Sequence, residues 1–170
     1  MAVLVLSGPV GAGKTTVARE LIANAPEGTA YLEGDAFWPF LVETKIGQSI
    51  QARFFMTMRA MFAAAWHYHR DDYRFLLDFS VPPDFLPGAR KLLRDTPFDF
   101  VVLLPPLEVC AERAASRGEG TIADYAAYRE FYADFDIDEP YVIRDQLSAA
   151  DMADLIRAEV AGGRFRVEAG

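Results

Sequence analysis

One cysteine, Cys110, stands among 170 residues, which excludes an intrachain disulfide framework and a cysteine-rich zinc site. It sits in an apolar context and reads as a small core residue. Histidine is almost as scarce. His67 and His69 are two apart, on different helix faces, and form no chelating pair. Positive charge is also short: Lys and Arg number 17 against 25 Asp and Glu, a formal net charge of −8. That balance excludes nucleic-acid binding through a basic surface. No segment approaches the ~18 uninterrupted apolar residues of a membrane span, and the first apolar run is too short for the core of a signal peptide. The expectation is a cytoplasmic protein with neither membrane nor nucleic acid as partner. No repeat, low-complexity tract or linker divides the chain. Its hydrophobic fraction of 52% is ample for the core of a single domain over 1–170.

Against these absences, one stretch is dense in chemistry. Gly8-Pro9-Val10-Gly11-Ala12-Gly13-Lys14-Thr15 fits Gly-x-x-x-x-Gly-Lys-[Ser/Thr], the phosphate-binding P-loop. Gly8, Gly11 and Gly13 let backbone N–H groups curl around phosphate oxygens. Lys14 reaches the β- and γ-phosphates, and the Thr15 hydroxyl ligates Mg²⁺. Ala12 and Thr16 complete the run that touches the anion. Ala2–Leu6 before the loop reads as a buried strand, and Val17–Ala23 after it as one face of a helix. The helix turns its positive dipole end toward the same phosphate.

The rest of the chain alternates strand and helix. Strands are expected at 29–32, 74–79, 99–104, 141–143 and, short, 165–167. Helices are expected at 48–70, 86–94, 107–116, 123–135 and from Ser148 to about 160. Ser148 with Asp151 makes a capping box for the last of these. Order βαβαβαβαβ predicts a three-layer α/β/α fold around a five-stranded, mainly parallel sheet. In such sheets ligands bind beyond the carboxyl ends of the strands. The P-loop, Asp35, Asp78 and the segment after Leu104 then surround one crevice.

Each candidate has a structural alternative. Asp35 closes the second strand, where it can take the proton of an acceptor hydroxyl or serve as a turn or N-cap residue. Glu33 is a structural carboxylate or an acceptor for a substrate hydrogen bond. Asp78 ends three apolar residues, and a buried carboxylate needs a partner: Mg²⁺ with its water, or an arginine. Arg113 and Arg117 are four apart and share a helix face directed at the crevice or at solvent. Phe37, Trp38 and Phe40 line a substrate pocket or pack in the core. The stripe Phe54, Met58, Met61, Phe62, Ala65 and Trp66 has helical spacing and reads as core. Arg53 contacts an anionic acceptor or lies on a solvated face.

These residues carry a resemblance. The chain resembles the P-loop kinases of small molecules and nucleotides, among them the adenylate, shikimate and gluconate kinases and the chloramphenicol phosphotransferase-like group. Phe75-Leu76-Leu77-Asp78-Phe79 looks like the adenylate kinase strand whose terminal aspartate holds hydrated Mg²⁺. Glu33-Gly34-Asp35 looks like the acidic pair closing the second strand in gluconate kinases, where an aspartate faces the acceptor hydroxyl. Arg113-x-x-x-Arg117 is similar to the arginine pair leading into the lid, one packing on adenine and the other touching phosphates. The resemblance implies ATP and Mg²⁺ as cofactors and a small-molecule acceptor. It also implies an acceptor-binding region at about 36–72, a short lid at about 117–123, and a monomer or homodimer. Phosphoryl transfer to a hydroxyl is the leading expectation, with Lys14, Asp35 and Arg117 catalytic. A nucleotide or nucleoside kinase and a slowly hydrolysing regulatory NTPase are the alternatives. A guanine-reading Asn-Lys-x-Asp run is absent, which favours adenine.

Overall fold

Strand β1 (Val3–Ser7) is buried along its whole length, because a run apolar on both sides has to be covered on both faces. The structure is a computed structural model that describes residues 3–42, 46–116, 122 and 124–168. Around β1 lie β2 (Thr29–Glu33), β3 (Arg74–Asp78), β4 (Phe98–Leu103), β5 (Val142–Ile143) and β6 (Arg166–Val167). The order is β2-β3-β1-β4-β5, all parallel. In addition, β6 pairs antiparallel with β4. The expected five-stranded parallel sheet is therefore present, with one short antiparallel strand added.

The outer edge of β4 is divided between two partners. Phe100 N–H donates to the Phe165 carbonyl, whereas Val102 and Leu104 N–H donate to Tyr141 and Ile143. Below this edge, buried Asp99 pairs with Arg166 at 3.1 Å. Burial pushes the Asp99 carboxyl up, and the Arg166 charge opposes the rise.

Alternation along the strands sends side chains to two cores. Leu4, Leu6, Leu76 and Val101 face α1 (Lys14–Ala23) and α6 (Ala149–Ala161) through Val17, Ala18, Ala153 and Ile156. Val3, Val5, Phe75 and Leu77 face α2 (Ile50–Arg70) through Met58, Met61, Phe62 and Ala65, with α3 (Leu86–Leu92) beside it. The apolar stripe expected along α2 is core at Met58, Met61, Phe62 and Ala65, which are fully buried. Its two ends differ. Trp66 is partly buried under the Arg94 guanidinium, 3.8 Å above the ring. The other end, Phe54, borders a cavity described below.

The remaining helices are α4 (Leu107–Ala115) and α5 (Arg129–Ala133), the latter preceded by a 3-10 turn at Ala126–Tyr128. The helix expected over 123–135 is thus much shorter. The Asp124 carboxylate accepts from Ala126 N–H at 2.8 Å, which delays the start. At the far end Phe135 N–H turns back to the Tyr132 carbonyl, and the Phe135 side chain enters the core with no exposure. Ser148 accepts from Asp151 N–H at 3.2 Å, so the expected cap on α6 forms.

Candidate active site

The loop between β1 and α1 has the backbone that its glycines allow. Gly8, Gly11 and Gly13 all have positive φ, at 139°, 82° and 93°. Space reinforces conformation. A Cβ on Gly8 would sit 2.3 Å from the Leu103 carbonyl oxygen, and one on Gly11 2.1 Å from that of Cys110. The loop is therefore clamped between the end of β4 and the start of α4. Gly13 is the N-cap of α1 and provides no side chain of its own there. The first N–H groups of α1 thus remain directed at whatever anion fills the loop.

Three further contacts hold the loop. Lys14 Nζ donates to the Pro9 carbonyl at 3.0 Å. Arg113 Nη1 donates to the Ala12 carbonyl at 3.4 Å, across 101 residues of sequence. The Tyr125 hydroxyl donates to the Val10 carbonyl. Cys110 is fully buried beneath the loop, and burial pushes its thiol up to about 11, so it is a packing residue.

Beside the loop is a small polar cavity of about 90 Å³. Lys14, Thr15 and Thr16 border it on one side, and Glu33, Asp35 and Asp78 on the other. Asp78 is buried, and its Oδ2 accepts from the Tyr31 hydroxyl at 3.3 Å. Burial raises the Asp78 carboxyl pKa; the Lys14 charge and the Thr15 hydroxyl lower it, and Glu33 and Asp35 raise it further. Tyr31 is in turn pushed up by its own burial and by Asp78.

This donor set fits Mg²⁺. A buried carboxylate and a threonine hydroxyl are hard oxygen ligands, and its carboxylate gains by facing a cation. Among the described residues no cluster of three or more His, Cys, Asp or Glu forms a metal cage. Mg²⁺ does not need one, since it takes most of its ligands from phosphate and water.

Asp35 owes its place to its neighbour. Gly34 begins a 3-10 turn running to Phe40. A Cβ on Gly34 would meet the Phe79 ring at 2.1 Å. The bare glycine lets the end of β2 seat against Phe79, and Asp35 emerges at the mouth of the cavity. The chemical role of Gly34 was not legible in the sequence, although a glycine between two acids was the available signal.

On the far side of Asp35 opens a larger cavity of about 630 Å³. Asp35, Val10, Phe79 and Ser80 border both cavities. Trp38, Phe54, Phe55 and Phe131 give the larger one an aromatic lining. Phe54 packs tilted at 5.1 Å against Phe79 and edge-on at 5.8 Å to Phe131. Phe37 packs against Phe40 at 5.0 Å and against the core, outside this lining. Arg53 lies on α2 outside it as well, and its Nε is buried without a hydrogen-bond partner. Tyr128, Phe131 and Asp134, from the region of α5, join the lining and were missed in the sequence.

A third cavity, about 250 Å³, flanks the loop on its other side. Gly13, Thr16 and Arg113 border it, together with Asp145, Gln146 and Leu147 between β5 and α6. The structure therefore brings together Gly13, Lys14, Thr15, Thr16, Glu33, Asp35, Asp78, Arg113 and Trp38. Arg117 and the expected lid, Ile122 apart, lie outside the described residues.

A parallel sheet with a glycine loop between its central strand and first helix is the P-loop nucleotide-binding α/β fold, and that fold implies nucleotide binding. Residues 3–135 match the family model described as an AAA domain, and the chain belongs to that family. Among solved structures it is similar to the Deinococcus radiodurans tunicamycin resistance protein. That match has 21% identity over 93% of this chain and 94% of that one, TM-score 0.72. A sugar kinase from Janibacter sp. matches at 20% identity, 94% of each chain, TM-score 0.70. Shikimate kinase from Acinetobacter baumannii matches at 20% identity, 95% and 93% of the chains, TM-score 0.62. The shared property at these identities is the fold. No curated protein matches the sequence. No helix of the described residues is long and apolar enough to cross a membrane.

Proposed function

We propose that the chain is an ATP- and Mg²⁺-dependent phosphotransferase that moves the γ-phosphoryl group to a hydroxyl of a small molecule. The observation that carries this is the position of Asp35 on the seam between the phosphate cavity and the aromatic cavity. A group that accepts a proton from the attacking hydroxyl has to stand where donor and acceptor meet.

The geometry supports a division of roles. The loop N–H groups and Lys14 bind the phosphates, and Arg113 and the 250 Å³ cavity take the nucleoside end. Asp78 and Thr15 would hold Mg²⁺, which supplies charge neutralisation at the phosphates when bound. Asp35 accepts the hydroxyl proton as the hydroxyl oxygen forms its bond to the γ-phosphorus. The bond from that phosphorus to the β,γ-bridging oxygen breaks, and ADP leaves. An acceptor seated on the aromatic lining would displace water from beside Asp35, which favours transfer over hydrolysis. Glu33, which borders the small polar cavity beside Asp35, is a hydrogen-bond partner for the substrate.

The same lining argues against a nucleoside monophosphate as acceptor. Such a substrate calls for cationic side chains, and among the described residues no Lys, Arg or His borders the 630 Å³ cavity. The test is an ATP-dependent phosphorylation screen over metabolites, nucleosides and antibiotics, repeated with Asp35→Asn. Loss of roughly a hundredfold or more in kcat with ATP-analogue affinity retained is expected. Full activity of that variant removes Asp35 as base, and absence of nucleotide binding removes the whole reading.

A further inference from the structure

The cavity assigned above to the acceptor has a charge pattern of its own. Its floor is aromatic, through Trp38, Phe54 and Phe131. Its rim carries two carboxylates besides Asp35, namely Asp84 at the turn before α3 and Asp134 at the end of α5. Neither Asp84 nor Asp134 forms an ion pair among the described residues, and no cationic side chain of those residues borders the cavity. The two sense each other: burial pushes the Asp134 carboxyl up, and the charges of Asp84 and Glu130 push it further. Like charges facing one space, with no cation among the described residues bordering it, make the described part of that lining negative. Aromatic faces add to it, since the ring quadrupole also attracts cations.

Resting on the kinase reading, we propose that the acceptor is a ring-bearing alcohol that also carries a protonated amine. The ring lies on the aromatic floor, the hydroxyl faces Asp35, and the ammonium is met by Asp84 and Asp134 at the rim. A volume of about 630 Å³ admits a ligand of drug-like size with all three parts. An anionic acceptor is rejected by the same carboxylates. Asp84 and Asp134 are thus specificity determinants, separate from the residues that handle phosphate. Exposed charges of this kind act modestly one by one, so each is expected to change affinity by about three- to fivefold.

The experiment uses the full chain saturated with Mg²⁺ and AMPPNP, titrated calorimetrically with three compounds that share one benzylic alcohol. These are 2-amino-1-phenylethanol, its N-acetyl derivative and mandelate: cationic, neutral and anionic. The cation is expected to bind at least about tenfold tighter than the other two. In the Asp84→Asn, Asp134→Asn double variant that preference is expected to vanish while AMPPNP affinity stays unchanged, which also shows that the variant is folded. Mandelate or the N-acetyl compound binding as tightly as the amine overturns the inference. So does a preference that survives the double substitution, or binding of none of the three at millimolar concentration. Those outcomes leave the kinase reading standing; failure of AMPPNP itself to bind removes both.

Discussion

The two ends of the cleft are built in opposite ways. The phosphate end comes from one contiguous segment, Gly8–Thr16, whose backbone is fixed by three positive-φ glycines and by carbonyls packed against it. The proposed acceptor end is assembled from four separate pieces besides Val10 of the loop: the turn after β2, the start of α2, the loop after β3 and the region of α5. One end presents main-chain N–H groups backed by Lys14 and Thr15, the other presents side chains alone. A phosphate tail is the same in every nucleotide, so a rigid backbone cradle suffices. An acceptor differs from enzyme to enzyme, and side chains on separate elements vary without disturbing the cradle.

That contrast can be broken most directly at Lys14. Lys14→Ala is expected to lower kcat/KM for ATP on the order of a thousandfold, with the acceptor KM little changed. Comparable loss on both sides would mean that the two ends are not independent.

Rigidity of the cradle is the next point of attack. Gly11→Ala places a methyl group against the Cys110 carbonyl at a φ of 82°, and is expected to cost about 3 kcal/mol in chemical denaturation. Gly28→Ala is the control: φ is 73°, but nothing lies within 4 Å, so about 1 kcal/mol is expected. Equal costs at the two sites would show that the packing around the loop contributes nothing.

Asp78 separates function from stability. Its carboxyl pKa is raised by burial, so between the ordinary carboxylate value and the raised one the folded chain binds more protons than the unfolded chain. Stability from this group is lost as pH rises through that window. Asp78→Asn is therefore expected to raise the nucleotide-free Tm at pH 7, with the gap closing below about pH 4. Mg²⁺-dependent turnover should fall roughly a hundredfold in the same variant. A lower Tm at pH 7 would count against the buried-carboxylate account.

At the acceptor end the expected effects are smaller. Phe131→Ala removes one aromatic wall and should raise the acceptor KM about tenfold, leaving the KM for ATP unchanged. A change in both would again erase the distinction between the ends.

Legibility in the sequence follows the same division. The cradle could be read because its own conformation lies within nine residues and is written in glycine. The sheet could be read because β1, β3 and β4 are covered on both faces over most of their length and so carry apolar runs. Phe54 and Met58 look alike in a helical repeat, yet one borders the cavity and the other is core. Helical spacing gives a face and not what covers it. The region of α5 was read as one long helix, because apolar periodicity does not register that Phe135 must leave the helix to be buried.

What the sequence determined alone is the local part: a loop whose φ angles only glycine tolerates, the strand before it and the helix after it. The tertiary structure decided which remote side chains share a space with that loop. Gly34 had to be bare for β2 to seat against Phe79, and only then does Asp35 stand between two cavities. Conformational preference acts over a few residues, whereas burial and charge act between groups that the chain brings together only on folding.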